Sequence, residues 1–111
     1  MLPSYLPKNI RETLGEFLRN LCSSLGNDSE VYLFGSFARG DWLMDSDVDL
    51  IVVSGRLKGI SWYERYPMLR RMAPPNIAID VFAYTPEEFE AMKSRAFMID
   101  IERYWVKIGC A

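Results

Sequence analysis

Apolar residues in the first quarter of the chain recur at steps of three and four: Ile10, Leu14, Phe17, Leu18, Leu21 and Leu25. That period marks one face of a helix, so residues 8 to 25 are predicted to form an amphipathic helix laid on a core. Gly26-Asn27-Asp28 ends it with turn chemistry. The pattern then shortens. Glu30–Phe34, Asp47–Val53 and Ile77–Tyr84 read as three strands, the second closed by Ser54-Gly55. A short helix is predicted just after Ser36, a loop through Asp41 to Asp45, and a helix over Ser61–Met72 that Pro74-Pro75 cannot continue. Thr85-Pro86-Glu87-Glu88 is a helix start, with a Thr cap, Pro at the first helical position and Glu at the third. Glu87 to Ile108 is predicted helical, with a break near Ser94-Arg95. Its stripe of Phe97, Ile101, Tyr104, Trp105 and Ile108 joins the core and leaves some aromatic surface for an interface. The order of elements is α/β.

Composition narrows the chemistry. At 111 residues the chain is read as one domain, residues 1 to 111, with a real core. Half the residues are hydrophobic, a quarter are charged, and the net charge is −2 without a long basic run. Direct coating of a nucleic-acid backbone has no electrostatic basis in such a chain. No apolar stretch approaches the ~20 residues of a membrane span. Cys22 and Cys110 lie far apart in a chain without a secretory signal, so they are expected to be unpaired thiols in a reducing cytoplasm. There is no histidine, which removes a His general base and a His-ligated zinc site. Carboxylates and metals remain.

The candidate chemistry lies between the first two strands. Gly35-Ser36 follows the first, and after ten residues Asp47-Val48-Asp49 opens the second. Gly35 can take backbone conformations closed to other residues and admit a phosphate close to the main chain. Ser36 adds a hydroxyl where a helix start favours an anion. Asp47 and Asp49, two apart on a strand, leave the same face with α-carbons ~6.5–7 Å apart. Their carboxylates suit Mg²⁺, a hard cation that completes its shell with waters and phosphate oxygens. Asp80 interrupts the apolar run Ile77–Phe82, and a carboxylate in apolar surroundings needs a partner. The metal site of Asp47 and Asp49 on an adjacent strand would be that partner. The plainer readings are a solvated loop end for the first two, a helix cap for Gly35-Ser36, and a strand-edge residue facing water for Asp80. Arg39, one turn past Ser36, could face either a phosphate or a carboxylate. Arg70-Arg71 and Lys58 read as solvated surface.

The segment GSFARGDWLMDSDVDLIVV closely resembles the signature of the DNA polymerase β-like nucleotidyltransferases, with Ala38, Arg39, Gly40, Ser46 and Leu50 matching the minimal nucleotidyltransferases (MNT). With Asp80 the resemblance spans Val31 to Tyr84. It implies a small mixed sheet flanked by helices. It implies transfer of a nucleoside monophosphate from ATP or another NTP to a hydroxyl. Asp47, Asp49 and Asp80 would be catalytic and would ligate two Mg²⁺ ions, with Gly35, Ser36 and Arg39 binding nucleotide. The larger members carry an acceptor-binding domain that is not seen in this sequence, so the acceptor is expected on a second copy or another protein. For minimal members the resemblance implies a HEPN-domain toxin whose tyrosine is adenylylated, with the MNT protein as antitoxin. An antitoxin that only masks its partner, and transfer to a small molecule such as an aminoglycoside, are the alternatives.

Overall fold

The computed structural model describes residues 2–110. Helix α1 (Lys8–Leu25) leads into β1 (Glu30–Phe34), and the single-turn helix α2 (Ser36–Arg39) precedes β2 (Val48–Val53). A 3₁₀ turn (Gly55–Leu57) and α3 (Trp62–Arg70) cross to β3 (Ile79–Tyr84); α4 (Pro86–Met92), α5 (Ala96–Glu102) and β4 (Val106–Cys110) follow. The sheet order is β3-β2-β1-β4, with β2 and β3 parallel and the other pairs antiparallel. This is the small mixed sheet flanked by helices that the resemblance implied, within the α/β class read from the element order. Among the described residues no helix is long and apolar enough to cross a membrane.

Alternation along the strands sorts side chains onto two faces. Val31, Leu33, Val48, Leu50, Val52, Ile79 and Val81 meet Leu14, Phe17 and Leu21 of α1 and Leu69 of α3 in one apolar cluster. On the opposite face Phe34, Ile51 and Val53 pack with Phe89 of α4 and Met98 and Ile101 of α5. The capping box at Thr85 forms as read: Thr85 accepts from the Glu88 N–H and Glu88 accepts from the Thr85 N–H.

Three expectations are corrected. The helix expected through Ile108 stops at Glu102, and Val106–Cys110 pairs with β1 instead. Val106, Ile108 and Cys110 alternate with Lys107 and Gly109, a strand period hidden beneath the helical spacing of Ile101, Tyr104, Trp105 and Ile108. The stripe is therefore split: Trp105 stacks on Tyr32 with ring centroids 4.5 Å apart, while Phe97 and Tyr104 stay about half exposed. Secondly, Cys22 and Cys110 are bonded, their α-carbons 5.8 Å apart, because β4 lies against α1. The expected free thiols, and the compartment argued from them, lose that support. Thirdly, Arg70 is not simply solvated: it donates to the carbonyls of Pro74 and Ile77 and holds the turn into β3.

Candidate active site

Strand register gathers the predicted residues. Phe34 lies opposite Asp49, and Asp49 lies beside Asp80, so the three form one row across the sheet. The next row is Tyr32, Ile51 and Phe82, which α4 and α5 help to cover. The carboxylates thus stand at one end of this face, next to its row of Tyr32, Ile51 and Phe82. Asp47 stands one residue ahead of β2, in the connection from α2, and is exposed.

Gly35 ends β1 and turns the chain away from this row with a φ of +72°. A side chain there would be strained, and the space is already taken: a Cβ would fall 2.1 Å from Asp49 Oδ2. Asp49 occupies the room that Gly35 leaves. The Gly35 carbonyl accepts from the Ala38 and Arg39 N–H groups at 3.1 and 3.0 Å, which winds α2. Gly40, at φ +87°, ends it with its N–H on the Ser36 carbonyl. Buried Phe37 stacks on Trp42, Tyr5 stacks on the same indole, and the Tyr5 hydroxyl donates to the Ala38 carbonyl at 3.0 Å. Sequence reasoning missed Tyr5 and Trp42 as supports for the turn. Their partners lie on other segments, and no local spacing signals them.

Electrostatics separate the three carboxylates. Burial, and then the nearby charges of Asp80 and Asp47, push Asp49 up to about 6, against an opposing pull from Arg39. Asp80 is exposed on the sheet's edge strand. The desolvation argument made for Asp80 therefore belongs to Asp49, which is half-buried between strands. Arg39 pairs at 3.2 Å with Asp41, which lies in the loop as expected. Arg39 also lines a cleft of about 450 Å³ with Phe34, Gly35, Phe97, Asp100 and Tyr104.

The donors in the row are all oxygen. Among the described residues no three acidic side chains are drawn together tightly enough to enclose an ion alone. Magnesium commonly takes one or two carboxylates and fills its shell with waters and substrate phosphates. Half-buried Asp49, with the exposed carboxylates of Asp80 and Asp47 beside it, fits that habit.

A family model described as a nucleotidyltransferase domain matches residues 14–108. The chain belongs to the nucleotidyltransferase domain family. It is 25% identical over 100 residues to a Methanocaldococcus jannaschii protein named "Putative protein adenylyltransferase MJ0141", covering 89% of this chain and 98% of that one. Its fold is similar to the crystal structure of a putative nucleotidyltransferase from Sulfolobus solfataricus, at 29% identity and a TM-score of 0.51, over 80% of this chain and 85% of that chain. A second crystal structure, again of a putative nucleotidyltransferase, aligns with a TM-score of 0.55 at 19% identity, over 93% of this chain and all of the other. As a nucleotidyltransferase the chain takes an NTP as substrate, and Asp49 and Asp80 stand side by side at the end of its sheet.

Proposed function

We propose that this nucleotidyltransferase moves AMP from ATP to a hydroxyl of a partner protein. The observation that carries the reading is the row itself, in which Gly35 abuts Asp49 and Asp49 neighbours Asp80. The Gly35-Ser36 turn holds the β- and γ-phosphates, its backbone N–H groups and the Ser36 hydroxyl serving as donors. Phe97 and Tyr104, which line the same cleft as Arg39, offer ring faces to the nucleoside. Asp47 and Asp49 would hold two Mg²⁺ ions and Asp80 one of them. When bound, the ions neutralise phosphate charge and lower the pKa of the acceptor hydroxyl.

The acceptor oxygen forms a bond to the α-phosphorus. The bond from that phosphorus to the bridging oxygen breaks, and pyrophosphate leaves with its electron pair. Asp80, the exposed carboxylate of the row, takes the hydroxyl proton and passes it to water. Histidine is not needed for any of these steps.

The name of the M. jannaschii relative supports a protein acceptor over a small molecule. The resemblance to minimal nucleotidyltransferases supports a HEPN-domain toxin as that protein, with this chain as its antitoxin. Co-expression with a HEPN protein encoded beside this chain tests the reading. The expected result is a complex in which the HEPN protein gains one or more AMP units by intact mass. Equal neutralisation by the Asp47→Asn, Asp49→Asn double variant would make masking, not transfer, the mechanism.

A further inference from the structure

We propose that Tyr5 and Trp42 are positioning residues for the triphosphate: they brace α2 and hold the Gly35-Ser36 turn in the shape that receives it. The inference rests on the proposed phosphate role of that turn. The helix alone cannot supply the shape. Its four residues, Ser36–Arg39, fall far below the roughly 12–15 at which an isolated helix is even marginal. Glycines with positive φ stand at both of its ends, Gly35 at +72° and Gly40 at +87°, and glycine permits many other conformations. A one-turn helix between two such joints needs support from other segments.

That support comes from the N-terminal segment. The last carbonyls of a helix lack partners within it. Here the Ser36 carbonyl accepts from the Gly40 and Asp41 N–H groups at 2.9 and 3.1 Å, and the Ala38 carbonyl accepts from the Tyr5 hydroxyl at 3.0 Å. Trp42 stacks on Phe37 of α2, with ring centroids 5.2 Å apart and planes 16° from parallel, and on Tyr5 at 6.0 Å and 20°. The indole thus joins the residue after Ser36 to the N-terminal segment. Tyr5 is itself firmly placed. It lies between Pro3 and Pro7, whose rings fix φ. The next residue, Leu6, is buried in the core, and its carbonyl accepts from Arg11 Nε of α1 at 3.1 Å. One hydroxyl and two ring contacts therefore tie α2 to the core.

Two features separate this brace from ordinary packing. Tyr5 stays 46% exposed, so its ring adds little to the core, yet its hydroxyl is engaged on α2. Trp42 also follows Asp41, which pairs with Arg39 at 3.2 Å, and Arg39 shares its cleft with Gly35. A ligand that meets a preformed turn loses less free energy to ordering than one that must shape it. Loosening the brace should then weaken phosphate binding more than it weakens the fold.

Calorimetry with ATP and with pyrophosphate, each in Mg²⁺, alongside melting temperatures, tests this. Tyr5→Phe keeps the ring and removes the hydroxyl; it should raise Kd for both ligands about threefold with little change in melting temperature. Trp42→Ala removes both ring contacts and should raise both Kd values at least about tenfold, while Trp42→Phe should restore most of that loss. Leu21→Ala, at a fully buried position of α1, is the control: it should lower the melting temperature and leave both Kd values near the parent's. Pyrophosphate carries no nucleoside, so equal factors for the two ligands locate the effect at the turn. Should Trp42→Ala fail to fold, Tyr5→Phe decides. Parent-like affinities in Tyr5→Phe would overturn the brace, as would a loss for ATP alone. A loss in Leu21→Ala as large as that in Tyr5→Phe would also overturn it, because affinity would then follow global stability. Failure of the parent protein to bind either ligand would instead overturn the phosphate role on which the inference stands.

Discussion

The two faces of the sheet come from the same strands and carry different residues. On the face toward α1 and α3, strand side chains are apolar and buried from end to end, from Val48 and Ile79 at one end to Val52 at the other. On the face toward α4 and α5 the apolar rows stop one short, and Asp49 and Asp80 stand in the last. A single-residue step along β2 separates the fully buried Leu50 from the catalytic candidate Asp49. Stability and chemistry should therefore be separable by substitutions at adjacent positions.

The largest expected effect is on the chemical face. Asp47→Asn and Asp49→Asn should each reduce label transfer from α-labelled ATP by about a thousandfold or more, since removing one electrostatic contributor in a preorganised site costs ~10²–10³, and metal ligands cost at least as much. The circular dichroism of both variants should match the parent's. Loss of fold in either would join the faces that the account separates. Gly35→Ala sharpens the comparison because it should damage both. The added methyl meets the Asp49 carboxylate and the φ of +72° disfavours any side chain, so transfer and melting temperature should fall together.

Leu50→Ala tests the other face. It removes a fully buried side chain and should cost about 2–5 kcal/mol by chemical denaturation. Transfer per folded molecule should remain near the parent's, and a loss of specific activity ahead of stability would break the comparison.

The smallest expected effect concerns Asp49 in metal-free buffer. Its folded pKa, about 6, lies above its ordinary 3.8, so the fold disfavours its ionised form. That penalty is absent below about pH 4, grows as pH rises through 6, and is complete above it. Asp49→Asn should thus raise apo stability above pH 7 by about 1 kcal/mol, after discounting for solvent screening of a half-exposed group, and change little at pH 4. Asp80→Asn, on an exposed residue, should stabilise less; the reverse order would put the buried charge on the wrong residue.

Most of the chemical face was legible because its signals are local. Gly35-Ser36 and Asp47-Val48-Asp49 flank one connection, and Asp80 stands out against Ile79 and Val81 by strand alternation alone. The pairing of Asp49 with Asp80 needed the sheet order, which periodicity does not carry. The C-terminal region was misread for a physical reason: Ile101, Tyr104, Trp105 and Ile108 satisfy a helical spacing while the chain changes to a strand after Glu102. With β4 hidden, the approach of Cys110 to Cys22 was hidden too. Arg65 gave no signal either, since its partners Leu57, Ile60, Ala83 and Glu88 come together only when α3 crosses the edge of β3.

Calorimetric titration of ATP, in Mg²⁺ and in EDTA, tests the central claim most directly. The acidic row should repel a bare triphosphate and accept one that brings its cation. The predicted result is binding at least about tenfold tighter with Mg²⁺ than with EDTA, with that difference abolished by Asp49→Asn. Equal affinity in the two buffers would contradict the account.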